Sequence, residues 1–421
     1  MFFQRIIFEN GLRVINVPIK NIASVTILVL IRTGTKYEKK KEKGISHFLE
    51  HMLFKGTKKR PNSLDISKEL DGIGGIYNAF TSKDFTGYFV KVNSLYLELG
   101  LDIVSDIFLH SLLKEEEIEK EKRVILEEIK MIEDNPMQYI EILWEKLLYK
   151  DQPAGWEISG TKETILRIKR ENLINYLKNH YLTSNTIIGI AGKINLKKTI
   201  NLIRKYFEKM KRGEGMKKEK TKETQKDPQK LFYKKDVAQT HLGLGFRAFN
   251  IFHPKRYALE ILSVILGGNT SSRFFQELRE KRGLAYYVST SYERNPDTGY
   301  LVTYTGIDHK KTKEVVNLIL EEYQKMKEKG PDLKEIKRAK EFLKGRIKLS
   351  LEESDNVASF YSFQELFEKK ILTPEKIIKK IEKVSLLEVK EATKEIFRNN
   401  RLNLVIISPS KEIIPKKLKI S

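Results

Sequence analysis

Residues 44–57 read GISHFLEHMLFKGT, and the only ionisable groups in this apolar run before Lys55 are His47, Glu50 and His51. Helical spacing puts the two histidines one turn apart on a single face, so both imidazoles can reach one ion. Glu50 falls on the same arc. Ile45, Phe48, Leu49, Met52 and Leu53 take the opposite arc, which predicts a helix with a buried back and a His/Glu/His front. Three titratable groups on a buried helix are costly unless something pairs them, and a divalent metal does so most completely. The competing reading is a hydrogen-bonded histidine pair in the core beside a surface glutamate.

The rest of the composition narrows what such a metal could be. The chain has no cysteine, which removes disulfides, thiolate ligands and thiol nucleophiles together and fits a reducing, cytoplasmic setting. Any metal must then be held by nitrogen and oxygen. The N-terminal MFFQRIIFENGLRV lacks the apolar core of a signal peptide, and no later run approaches a membrane span, so a soluble protein without membrane association is expected. The formal net charge of +23 invites a nucleic-acid reading. Its lysines, however, are interleaved with glutamates, as in EKEKR at 119–123, and no aromatic-interleaved basic stripe appears, so no nucleic-acid partner is expected.

A length of 421 residues favours more than one domain. The lysine-rich stretch around 211–235 lacks apolar periodicity until Leu231 and reads as a linker. The halves on either side look alike. In each, a strand (24–34; 240–249) precedes an apolar helix, two strands follow (76–92; 284–306), long helices come next, and an apolar strand closes the half (186–192; 402–408). This predicts an α+β fold of two similar domains, 1–212 and 236–421 joined by a 213–235 linker, each a mainly antiparallel sheet with helices on one face. Laying one half on the other brings Glu260, Ser263 and Val264 to the slots of His47, Glu50 and His51, so the second half is expected to lack a metal site.

Two histidines leave zinc short of a protein ligand, and the charged helix EEEIEKEKRVILEEIKMIED at 115–134 offers candidates. Ile118, Val124, Ile125, Ile129, Met131 and Ile132 define one apolar arc, and Glu121 and Glu128 project from the middle of it, seven residues apart. Glu127 points to the opposite, lysine-bearing side. Two carboxylates in a buried stripe need a cation, either a metal or a structural Arg or Lys.

HxxEH followed about 75 residues later by ExxxxxxE on a helix resembles the pitrilysin/insulinase family of inverted-motif zinc proteases, in particular its small members similar to mitochondrial processing peptidase subunits. The resemblance spans the chain, through FLEHMLFKGT (48–57), GGIYNAFTSKDFTGY (74–88), EKRVILEEIKMIEDNP (121–136) and SSRFFQELREKRGLAYYV (271–288). It implies one Zn²⁺ per chain bound by His47, His51 and Glu128, with Glu50 as catalytic base and Glu121 supporting the site. It further implies that Asn78, Ala79 and Phe80 accept a peptide substrate by strand addition, and that Arg279 and Tyr286 of the second half contact that substrate. On their own chemistry, Arg279 reads as a surface helix charge and Tyr286 as an ordinary strand aromatic. Larger family members carry four such domains, so this chain resembles half of a clamshell. A homodimer, or a heterodimer with a related inactive subunit, is therefore implied. The family also contains structural assembly subunits, usually with a degraded zinc motif, and that reading is the alternative to an endopeptidase.

Overall fold

The computed structural model describes residues 2–368, 370–413, 415 and 417–420. The first half of the chain forms β1 (Gln4–Ile7), β2 (Arg13–Pro18), β3 (Ser24–Ile31), α1 (Ile45–Met52), α2 (Ser63–Asp71), β4 (Ile76–Thr81), β5 (Thr86–Asn93), α3 (Leu97–His110), α4 (Glu115–Asp134), α5 (Pro136–Tyr149), α6 (Lys162–Arg167), α7 (Arg170–His180), β6 (Thr186–Gly192) and α8 (Leu196–Phe207). The second half forms β7 (Gln229–Lys234), β8 (Thr240–Arg247), α9 (Arg256–Gly267), β9 (Ala285–Arg294), β10 (Gly299–Ile307), α10 (Thr312–Lys329), α11 (Leu333–Ser350), α12 (Ser354–Phe367), α13 (Pro374–Lys383), α14 (Leu386–Ile396) and β11 (Leu402–Ser408). The α+β class and the duplicated design hold.

Two sheets organise these elements, in the orders β1-β2-β6-β3-β5-β4 and β7-β11-β8-β10-β9. Apart from the extra β1, they match strand for strand. Both are antiparallel except for one parallel pair each, β2 with β6 and β7 with β11. The SVTILVLI run of β3 explains its central place. Val25, Ile27, Val29 and Ile31 enter the core shared with α1 and α3, while Leu28 and Leu30 enter a second core on the other face. A continuous run rich in Val, Ile and Leu, buried on both sides, is what a central strand requires.

The chain folds into two compact units, and these are not the two sequence halves. One comprises the stretch up to Ile129, Trp156–Glu219 and Ile347–Pro374; the other comprises Lys130–Gly155, Lys220–Arg346 and the stretch from Glu375. Each unit therefore receives a helix encoded in the opposite half. In the first unit, Val357, Ala358 and Tyr361 of α12 cover Ile15, Leu28, Leu30 and Ile187. Close approach depends on Gly189 in β6, where a side chain would collide with Ser362. The helix is tied further by Thr26 Oγ1 to Ser354 Oγ at 2.8 Å and by Arg5, which holds Glu365 with two bonds of 2.7 and 3.0 Å. In the second unit, Tyr139, Ile140, Leu143 and Trp144 of α5 pack on Val405, Ile407, Val302 and Tyr304. At about 1.5–3 kcal/mol per fully buried aliphatic or aromatic side chain, these two faces are a main source of stability.

The expected boundaries at 212 and 236 change accordingly. The segment expected as linker also ends in a strand, since Gln229–Lys234 is β7 and pairs in parallel with β11. Its lysines sit at a sheet edge, where charged side chains stay in water while the backbone pairs. Among the described residues, no helix is long and apolar enough to cross a membrane.

Candidate metal centre

The back of α1 is as its spacing predicts, with Ile45, Phe48, Leu49, Met52 and Leu53 all fully buried. Its front brings the two imidazoles together, with Nε2 atoms 3.3 Å apart. Glu128 of α4 faces both rings. One carboxylate oxygen lies 3.5 Å from His47 Nε2 and the other 3.5 Å from His51 Nε2. A tetrahedral ion bound at about 2.0–2.2 Å sets its ligand atoms roughly 3.3–3.6 Å apart, so the observed edges have the right size for zinc. His47, His51 and Glu128 form the one such group of potential ligands among the described residues. Zinc fits this donor set.

Glu121 lies between His51 and Lys55. Its Oε2 lies 3.0 Å from His51 Nδ1, and its Oε1 lies 2.5 Å from Lys55 Nζ. A proton on His51 Nδ1, donated to this carboxylate, leaves Nε2 free to coordinate. Lys55, not singled out from the sequence, holds Glu121 in turn. On the other ring, the buried His47 Nδ1 has no hydrogen-bond partner among the described residues. The geometry therefore secures the two histidines unequally.

The electrostatics show what the site is built to hold. Hydrogen bonds to His47 and His51 keep the Glu128 carboxyl far below the usual carboxylate range, despite partial burial. Burial works against a charged His51, but the bonds to Glu121 and Glu128 outweigh it and push the imidazole up to about 9. Without a metal the cluster thus retains a proton. A dication can take over that role.

Glu50 lies on the same front, half-buried, with no hydrogen bond or ion pair among the described residues. Its charge adds to the burial that raises the neighbouring phenols Tyr88 and Tyr181, whose hydroxyls bond each other at 2.9 Å. This carboxylate thus stands beside the two imidazoles without a tether among the described residues.

Helical phase identified Glu121 and Glu128 but overestimated the apolar arc around them. Ile118, Ile125 and Ile129 are buried, whereas Val124 and Met131 are 48% and 65% exposed. The two carboxylates therefore mark the margin of the buried stripe, where α4 meets the imidazoles, and not its centre. Glu127 is exposed, as expected.

Asn78, Ala79 and Phe80 belong to β4, an edge strand that among the described residues pairs only with β5 and packs beside α1. The Ala79 N–H donates to Asn78 Oδ1 at 2.8 Å. Phe80 lies over Gly87, where a Cβ would strike its ring. Arg279 and Tyr286 belong to the second unit. Arg279 is exposed on the π-helical turn Phe275–Glu280, with its guanidinium 5.1 Å from the Phe275 ring centre. Tyr286 is 70% exposed on β9, which forms the sheet edge opposite β7.

Residues 13–162 match the insulinase family, peptidase family M16, and residues 167–343 match the M16 inactive domain. The chain belongs to peptidase family M16. Full-length relatives agree. It is 36% identical to the uncharacterized zinc protease YmxG of Bacillus subtilis over 97% of this chain and 98% of that one. An uncharacterized zinc protease of Rickettsia felis is 34% identical, over 94% and 96% of the respective chains. Among solved structures, a protease from Helicobacter pylori shares the fold with a TM-score of 0.89 at 24% identity, covering 97% of this M16 chain and 99% of the other. An M16 inactive-domain protein from Pseudomonas fluorescens does so with 0.90 at 17%, covering 99% of both.

Proposed function

We propose that this M16 protein is a zinc-dependent endopeptidase acting on short or unfolded peptides, with one Zn²⁺ per chain held by His47, His51 and Glu128. The observation that carries the reading is the convergence of two imidazole Nε2 atoms, 3.3 Å apart, on the Glu128 carboxylate, which sets one oxygen 3.5 Å from each, beside an untethered second carboxylate. Bound there, zinc supplies a Lewis acid and lowers the pKa of a coordinated water. Glu50 accepts the proton of the attacking water and returns it to the leaving amine. Glu121 orients His51, and Lys55 orients Glu121. The open edge of β4 receives the substrate backbone as an added strand, through Asn78, Ala79 and Phe80. Arg279 and Tyr286 are the second unit's candidates for contacting the peptide. The reading includes a cytoplasmic protein that closes its chamber with a partner chain, either a second copy or a related inactive subunit.

The test is zinc content measured together with cleavage of an unstructured peptide mixture. One zinc per chain and hydrolysis abolished by a chelator are expected. A metal-loaded protein that cleaves nothing in the mixture would instead favour a non-catalytic assembly subunit.

A further inference from the structure

We infer that Glu38 is a positioning residue of the metal centre, a buried carboxylate that stands in for the missing cap of α1 and fixes the helix turn carrying His47. The inference rests on the zinc-site reading above. Helices generally begin with a Ser, Thr, Asp or Asn whose side chain accepts one of the unpaired first-turn amides. At α1 that position is Gly44, which has nothing to offer. Nor could it carry a capping side chain. Its φ is +88°, in the left-handed region, and a Cβ would stand 2.7 Å from the Ser159 carbonyl oxygen and 2.9 Å from the Gly160 backbone.

Glu38 supplies the missing acceptor from six residues upstream. Its two oxygens accept the N–H of Gly44 at 2.8 Å and the N–H of Ser46 at 2.9 Å. The side chain is buried with the residue only 6% exposed, so this is a fixed clamp and not a surface contact. Burial pushes the Glu38 carboxyl up to about 7 against the lowering effect of these two amide bonds, so the clamp rests on its acceptor oxygens and not on a full charge at the helix N-terminus. A second tether holds the same turn. Ser46 Oγ bonds Tyr176 OH at 2.8 Å, Tyr176 OH bonds Thr33 Oγ1 at 2.8 Å, and Thr33 Oγ1 lies 3.1 Å from His180 Nδ1.

The consequence falls on His47, the residue after Ser46. Among the described residues its Nδ1 has no hydrogen-bond partner to orient the ring, unlike His51, which Glu121 holds. The ring's placement then depends on the backbone of the first turn. Metal constellations tolerate errors of about 0.5 Å and 10–20°, which a loosened first turn exceeds.

The experiment compares Glu38→Ala, Glu38→Gln and the control Glu42→Ala, each as the full chain. Zinc affinity is measured by competition with a chromophoric chelator, the ligand geometry by the visible spectrum of the cobalt(II)-substituted protein, and the fold by melting of the metal-free form. The expected result is a zinc affinity at least about tenfold weaker in Glu38→Ala, with an altered cobalt spectrum. Glu38→Gln keeps one acceptor oxygen and should recover part of both, and Glu42→Ala should match wild type. If Glu38→Ala does not fold, Glu38→Gln decides alone, through a several-fold loss and a shifted spectrum. A lowered apo melting temperature with wild-type zinc affinity and cobalt spectrum would overturn the inference and leave Glu38 a purely structural cap. If the wild-type protein itself bound no zinc, the metal-site reading would be what fails.

Discussion

Helices α1 and α9 follow matching strands in matching sheets, yet they resolve their polar residues in opposite ways. On α9, the group at the His47 slot is Glu260, which pairs with Arg294, and Ser263 returns its hydroxyl to the Glu260 carbonyl at 2.9 Å. Val264, in the third slot, is buried. Every polar group there is satisfied within the unit. On α1, the equivalent groups face one another and a carboxylate from α4, so their mutual satisfaction waits for a cation. The scaffold is common to both; the difference lies in three side chains and the helix that confronts them. One frame can therefore carry a candidate site in one copy and none in the other.

The sharpest way to break this contrast is Glu50→Gln, which neutralises the member of the α1 front that has no partner among the described residues. Peptide hydrolysis should fall by about 10²–10⁴-fold with zinc content unchanged. A turnover within tenfold of wild type would remove Glu50 from the role of base. Glu128→Gln should come next, weakening zinc affinity by more than the roughly 10–100-fold typical of supporting residues, because it removes a direct ligand. Glu127→Gln on the exposed side of α4 should leave zinc content intact, and the reverse ranking would refute the phase assignment of that helix. Glu121→Gln should cost about 10–100-fold in zinc affinity, read by chelator competition.

The smallest effect concerns a histidine outside the metal centre. Burial depresses His180 to about 4, so the unfolded chain binds its proton more readily than the folded one. The stabilisation is present above the ordinary histidine value and is lost as pH falls from about 6.5 toward 4. Denaturant unfolding should show wild type losing roughly 1–3 kcal/mol more than His180→Gln across that window. Identical pH profiles would show that burial at His180 carries no such linkage.

Much of the site was legible because it is written in helical phase. Five apolar residues fixed the back of α1, and a seven-residue interval selected Glu121 and Glu128 over Glu127. Strands β6 and β11 were equally readable, being short apolar runs buried on both faces. The exchange of α5 and α12 was not. Periodicity reveals that Val357, Ala358 and Tyr361 share a buried face but not which sheet receives it. Strand β7 escaped because QKLFYK keeps its lysines at an edge, where composition resembles a linker. Glu38 escaped for a different reason: its partner is backbone, and an isolated acidic residue in a loop has no pattern to betray it.

The exchanged α12 also sets a timetable for synthesis. When residues 1–219 have emerged from the ribosome, one side of their sheet, with Leu28, Leu30 and Ile187, still awaits the helix spanning Ser354–Phe367. That surface must stay uncovered while well over a hundred further residues are added, at about 5–20 residues per second. The nascent first unit therefore passes through seconds of exposure in which an apolar sheet face invites aggregation, and holding it open without misassociation is a task for chaperones.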